Sequence, residues 1–260
     1  MTIRDIAAVG YAACGDDYER ARPGYPPAAV ELLARELRIE AASTVLDLAA
    51  GTGKLTRLLQ PTGATLIAVE PVPEMRRHLA ALPGVRVLDG TAEAIPLSAA
   101  AVDAVVVGTA FHWFRGDEAL AEIIRVLKPG GGLGLVWNNP DVDVDWVAEI
   151  WDLVAAKRRS APRNRDLSWK QAFAAGGQRL EPLRHRRFSH RQRLGLDGLL
   201  ARVRSISFVA SLPADEREDV LRRVRQIACG HPALAGRQTL ELPYRTDVYW
   251  CRRRAGDATG

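Results

Sequence analysis

Cysteine, methionine and aromatic side chains are scarce in this 260-residue chain, with three Cys, two Met and 6% aromatics. Cys14, Cys229 and Cys251 are odd in number, far apart and without histidines at ligand spacing, which argues against a disulfide framework and against a zinc site. They read as ordinary buried or half-buried thiols, and no metal is expected. No apolar run approaches the roughly 18 residues of a membrane span. The amino-terminal stretch sets Asp5 beside Arg4 and lacks the long apolar block of a secretion leader. These absences predict a cytoplasmic chain with no membrane partner. Acids are sparse in one region: from Lys157 to Arg193 only Asp166 and Glu181 oppose many cations, within a net charge of +5. In "LRHRRFSHRQRL" the cations do not interleave with aromatics as a nucleic-acid surface would have them. A solvated basic face is the preferred reading, with a small molecule rather than nucleic acid as partner.

What is present is apolar patterning, in 47% of the residues and over enough length for one large domain or one domain with a sizeable insertion. In "ARPGYPPAAVELLAREL", Pro26 and Pro27 suit a helix start, and Val30, Leu32, Leu33 and Leu37 supply a buried stripe. Strand and helix then alternate: "STVLDLAA", "GKLTRLLQ", "ATLIAVEP", "VPEMRRHLAAL", "VRVLDG", "VDAVVVGTA", "GDEALAEIIRVLKPGG" with a glycine stop, and "GLGLVWN". Strict alternation predicts an α/β fold with a parallel sheet, helices on both faces and ligands beyond the carboxyl ends of the strands. Residues 143–157 and 195–230 look helical, the latter with Val220, Leu221, Val224 and Ile227 on one face. "LRHRRFSHRQRL" and "TLELPYRTDVYWCRR" look like strands, the last an antiparallel edge, and "RRAGDATG" like a tail.

The stretch "VLDLAAGTGKLTRLL" packs a buried strand, a glycine turn and a helix start into fifteen residues. Bare backbone at Gly51 and Gly53 would let a nucleotide-like ligand approach. A phosphate-cradling P-loop needs Gly where Leu48 stands and Ser or Thr where Leu55 stands. A dinucleotide fingerprint needs a third glycine where Thr56 stands. S-adenosylmethionine (SAM) carries no phosphate but an amino group and a sulfonium, so the carboxylate of Asp47 ahead of the turn favours it.

With Asp47, Gly51 and Gly53 followed in order by Glu70, by "GTAEAIPL" and by "GTAFHWF", the chain resembles the class I SAM-dependent methyltransferases, in the branch often called type 11. The core resemblance covers residues 43–137. "YERARPGYP" and "LPYRTDVYW" extend it to a subgroup of small-molecule methyltransferases that includes trans-aconitate-type enzymes. The resemblance implies a doubly wound, mostly parallel seven-stranded sheet, divided into a helical cap (1–42), a SAM-binding core (43–137), lid helices with the final antiparallel strands (138–254) and a tail (255–260).

It also implies roles. Asp47 orders the turn and favours the cationic cofactor. Glu70 accepts hydrogen bonds from both ribose hydroxyls, with Pro71 and Met75 beside it. Thr91, Ala92 and Glu93 flank the adenine, and Thr109 lies near the methyl group. Ala49 stands where the family usually has Gly, which is tolerable at negative φ. Tyr18 covers the cofactor, and Arg22 clamps its methionyl carboxylate with a two-pronged hydrogen bond. Tyr25, His112, Trp113 and Trp137 form the substrate pocket. His112 is either a general base for a hydroxyl acceptor or a wall of that pocket, since alignment alone can carry methyl transfer to a carboxylate. The expected activity is SAM-dependent transfer to an oxygen of a small molecule. The alternatives are a SAM-binding protein without methyl transfer and an RNA methyltransferase.

Overall fold

The computed structural model describes residue 19 and residues 21–158, 167–175 and 179–256. Helix α1, Pro27–Leu37, starts on the Pro pair and buries Ala29, Val30, Leu32, Leu33 and Leu37. There follow β1 (Thr44–Leu48), α2 (Lys54–Leu59), β2 (Thr65–Val69), α3 (Pro73–Ala80), β3 (Val85–Leu88), β4 (Val102–Gly108), α4 (Gly116–Val126) and β5 (Leu127–Pro140). After these come α5 (Asp145–Ala156), α6 (Gln171–Ala175), β6 (Arg184–Leu194), α7 (Leu196–Arg204), α8 (Ser207–Ala210), α9 (Ala214–Gly230) and β7 (Leu240–Arg252). The strands form one seven-stranded sheet in the order β3-β2-β1-β4-β5-β7-β6. Its first five strands are parallel, with Val45 paired to both Leu66 and Ala104.

Where β4 turns away from β1's other neighbour, the strand order reverses, and the carboxyl ends of β1 and β4 open a crevice. Residues 49–53 and 109–113 therefore share one edge of the sheet.

Three expectations are corrected. The stretch "KPGGG" does not stop a helix: α4 ends at Val126 and β5 begins at Leu127, with a register shift opposite Val102 and Ala104. These glycines serve close packing, because a Cβ on Gly132 would lie 2.8 Å from Leu37 Cδ2 and one on Gly134 2.5 Å from Leu33 Cδ2. Helix α1 thus lies directly on the backbone of β5. The last strand is not the edge: β7 lies between β5 and β6, and β6 is outermost. Its charge makes physical sense there, since cations on an edge strand discourage pairing with another chain. Part of that charge is met locally, with His185 and Arg187 each 2.8 Å from Asp247, and Arg191 2.8 Å from Glu241. Arg253, expected in the tail, is buried and donates to the carbonyls of Ile124 (3.0 Å) and Leu127 (2.6 Å).

The chain divides into two compact units. The sheet unit holds residues 24–137, the described part of 162–188, and 246–256; two apolar clusters fill it, one built on Leu46, Val105, Phe111 and Trp137, the other on Leu33, Val45, Leu59 and Val248. The helical unit holds the described residues up to 23, 138–158 and 189–245, around Trp146, Ile150, Leu199, Val203, Val224 and Tyr244. On α9, Val220, Leu221, Val224 and Ala228 are buried and Ile227 is half-buried. Cys229 falls beside that stripe and is exposed, against expectation, whereas Cys251 is buried and its thiol is pushed up to about 12 by burial. Cys14 lies outside the described residues. Among the described residues no helix is long and apolar enough to cross a membrane.

Candidate active site

Asp47, next to last in β1, has its carboxylate turned into the protein, 2% exposed. Thr56 Oγ1, from α2, donates to its Oδ2 at 2.6 Å, while Oδ1 is buried without a hydrogen bond. Burial, opposed by the Thr56 hydrogen bonds and reinforced by the charge of Glu70, raises the Asp47 pKa from 3.8 to about 7. The acid therefore keeps its proton to a much higher pH than an ordinary carboxylate, and a cation brought near it would favour losing the proton.

The turn after Asp47 needs the left-handed region three times, at Ala49 (φ 55), Gly51 (φ 59) and Gly53 (φ 84). The expectation of negative φ at Ala49 is thus overturned, and its Cβ carries a cost of about 1–2 kcal/mol that a glycine would not. Gly51 has room beside it, since an added Cβ would meet only Met75 Sδ at 3.9 Å. Gly53 has none: an added Cβ would stand 2.8 Å from both Leu79 Cδ2 and Leu82 Cδ1. The missing side chain at Gly53 admits leucines of the protein, not a ligand.

Glu70, 4% exposed after β2, bridges two loops. Its Oε2 accepts from Gly51 N at 2.9 Å and its Oε1 from Val72 N at 2.9 Å, across Pro71. Arg76 Nη1 donates to the Glu70 carbonyl at 2.8 Å and pairs with Asp89 at 2.9 Å. After β3, Thr91 bridges Ala94, Ala92 is buried in the core, and Glu93 accepts from Arg115 N at 2.9 Å, tying this loop to the start of α4.

At the carboxyl end of β4, Tyr25 Oη lies 3.0 Å from Thr109 Oγ1. A Cβ on Gly108 would come within 2.7 Å of the same Tyr25 hydroxyl, so the bare backbone lets Tyr25 settle there. Thr109 itself has φ 57 and donates its N–H to Val136 O at 2.7 Å. In the following turn, Trp137 Nε1 donates to His112 Nδ1 at 3.1 Å, and Trp113 lies 5.3 Å from the His112 ring. An indole nitrogen only donates, so Nδ1 is the acceptor and the neutral imidazole carries its proton on Nε2.

Sequence reasoning missed the aromatic support of Trp137. Trp169 packs 4.8 Å and Tyr249 5.8 Å from its ring, and Phe111 lies 5.9 Å from Trp169. Period-2 alternation in "TDVYWCR" puts Tyr249 on one face with Asp247 and Cys251, and that was the available signal. Arg22 belongs to the helical unit, where its Nη2 donates to Ser205 O at 2.6 Å. Tyr18 lies outside the described residues.

A family model described as a methyltransferase domain matches residues 46–135, the span from β1 into β5. An uncharacterized methyltransferase of Mycobacterium tuberculosis is 42% identical over 230 residues, 88% of this chain and 89% of that one. The chain belongs to the SAM-dependent methyltransferases. A malonyl-[acyl-carrier protein] O-methyltransferase of Methylococcus capsulatus is 41% identical over 96 residues, 34% of this chain and 35% of that one. Among solved structures, a putative type II methyltransferase of Anaeromyxobacter dehalogenans shares the fold with a TM-score of 0.64 at 23% identity, covering 90% of this chain and 97% of that one.

Proposed function

We propose that this methyltransferase binds SAM at the carboxyl ends of β1 and β4 and methylates an oxygen of a small molecule, a carboxylate in preference to a hydroxyl. The cofactor reading is supported by Asp47, a buried acid behind an open glycine turn with one oxygen unmatched by any hydrogen bond. Such a group is costly without a cationic partner. When bound, SAM supplies an electrophilic methyl group on a positively charged sulfur. Glu70 holds Gly51 and Val72 in place while offering a carboxylate, which has about four acceptor sites in all, to a ribose diol. Thr91, Ala92 and Glu93 flank the adenine.

The single observation behind the acceptor class is the Trp137 to His112 hydrogen bond. A general base needs a ring nitrogen with its lone pair toward the acceptor. Here one lone pair takes the indole N–H, and the other nitrogen carries the proton. His112 is thereby a donor: its Nε2–H can orient an acceptor oxygen that is already anionic, and alignment with exclusion of water carries the rest. Tyr25 and Trp113 wall the pocket, whereas Trp137, only 1% exposed, belongs to the core behind it and holds the His112 ring rather than facing an acceptor. The relative from Methylococcus capsulatus, an O-methyltransferase by name, supports oxygen as the target.

The test uses methyl-labelled SAM with a small-metabolite extract. Label that becomes volatile on mild alkaline hydrolysis, as methanol released from an ester, is the expected result. Alkali-stable label would mark an ether, amine or carbon product and overturn the carboxylate assignment. No transfer to any fraction, with cofactor bound, would favour a SAM-binding protein without this reaction.

A further inference from the structure

The helical unit contains a buried cation with no counter-ion among the described residues. Arg202 lies on the inward side of α7 between Leu199 and Val203, and is 5% exposed. Its Nε donates to Tyr244 Oη at 3.0 Å, and that hydroxyl donates to Gln192 Oε1 at 3.0 Å. The guanidinium stands 5.9 Å from the Trp151 ring and 6.0 Å from the Tyr244 ring. Among the described residues no carboxylate pairs with Arg202, and Nη1 is buried without a hydrogen bond. Among the described residues the one side-chain hydrogen bond of Arg202 is that from Nε.

Withdrawing a charge from water costs several kcal/mol, and a hydrocarbon side chain between Leu199 and Val203 would avoid that cost. Two cation–π contacts and one neutral hydrogen bond offset only part of it. The Nη1/Nη2 edge carries parallel N–H donors, the fork that matches the two oxygens of a carboxylate, and its Nη1 is buried without a partner. The surroundings favour a weakly hydrated monoanion over a phosphate. Arg202 supplies a single positive charge, the rings of Trp151 and Tyr244 stand beside it, and burial lowers the pKa of His190, whose ring lies 6.2 Å from that of Tyr244.

We infer that Arg202 is the anchor of a carboxylate-binding site in the helical unit, with the ligand's two oxygens on Nη1 and Nη2 and its organic part against Trp151 and Tyr244. This site does not depend on the proposed use of SAM. It is tested in cofactor-free protein, by calorimetry and thermal unfolding, with benzoate and succinate against benzamide, succinamide and inorganic phosphate as probes.

The wild type should bind a carboxylate saturably and gain melting temperature with it, the amides should do neither, and Arg202→Met should lose the response. Without probe, Arg202→Met should melt no lower than the wild type, because it removes an uncompensated buried charge. Arg202→Lys, which keeps the charge without the fork, should bind at least tenfold more weakly. The inference is overturned if carboxylates and amides act alike, if only phosphate binds, or if Arg202→Met keeps the wild-type response. It is equally overturned if both variants lose stability and the wild type shows no carboxylate response, which would make Arg202 a structural support of Tyr244. None of these outcomes bears on SAM binding.

Discussion

Replacing Asp47 by Asn isolates the electrostatics of the β1 turn. Asn keeps an acceptor for Thr56 but cannot ionise. In the native protein burial raises the Asp47 pKa from 3.8 to about 7, so the folded state holds its proton more tightly than the unfolded chain does. Stability from this group is fully present below pH 3.8 and is lost as pH rises toward 7, above which the loss is constant. With 1.36 kcal/mol per pKa unit, the wild type should lose about 2–3 kcal/mol relative to Asp47→Asn between pH 5 and pH 8.5. Any pH-independent effect of the substitution, including altered packing or a weakened Thr56 bond, cancels in that difference. Urea denaturation of both proteins at the two pH values provides the measurement. Parallel pH profiles would show that Asp47 titrates as an ordinary carboxylate and would remove the argument that it awaits a cation.

Other substitutions probe the turn and the pocket. Ala49→Gly should stabilise the protein by about 1 kcal/mol in urea titrations, since φ 55 strains a residue with a Cβ; a loss of stability would contradict that strain. Gly53→Ala should destabilise by about 1–3 kcal/mol, the usual cost of overpacking, because its Cβ would meet Leu79 and Leu82. Unchanged stability there would return Gly53 to the list of backbone positions kept bare for a ligand. His112→Gln, which retains a side-chain N–H donor, should keep most of the methyl-transfer rate, and the wild-type pH–rate profile should show no imidazole limb near pH 6.5. A loss of 100-fold or more together with such a limb would reinstate His112 as the base.

The alternation of β1 to β5 with their helices was legible because period-2 and period-3.6 patterns follow directly from which face each element buries. Leu33 and Leu37 were recognisable as buried, but not that their partners are Gly132 and Gly134, since a missing side chain leaves no hydrophobic signal. The order of β6 and β7 was illegible for a different reason: both alternate, and only pairing across more than fifty residues decides which one lies outermost. At the site, Asp47, Gly51 and Glu70 stood in a local motif, and the structure joins Glu70 to Gly51 directly. Thr56, which satisfies one oxygen of Asp47, passed as an ordinary helix residue. Trp169 and Tyr249 come from segments without a motif and meet Trp137 only through the fold. Arg202 sits in a helical stretch where periodicity puts it beside buried leucines, and an isolated arginine there reads as solvated until its burial is seen.

The use of SAM in the β1 turn is tested most directly by calorimetry with SAM and with its demethylated product, near pH 7 and in buffers of different ionisation enthalpy. The wild type should bind both, should release a proton from Asp47 when the cationic cofactor binds, and should lose about 1.5–3 kcal/mol of affinity in a correctly folded Glu70→Ala variant. Absence of binding by either compound, or unchanged affinity in that variant, would contradict the placement of the cofactor on Glu70.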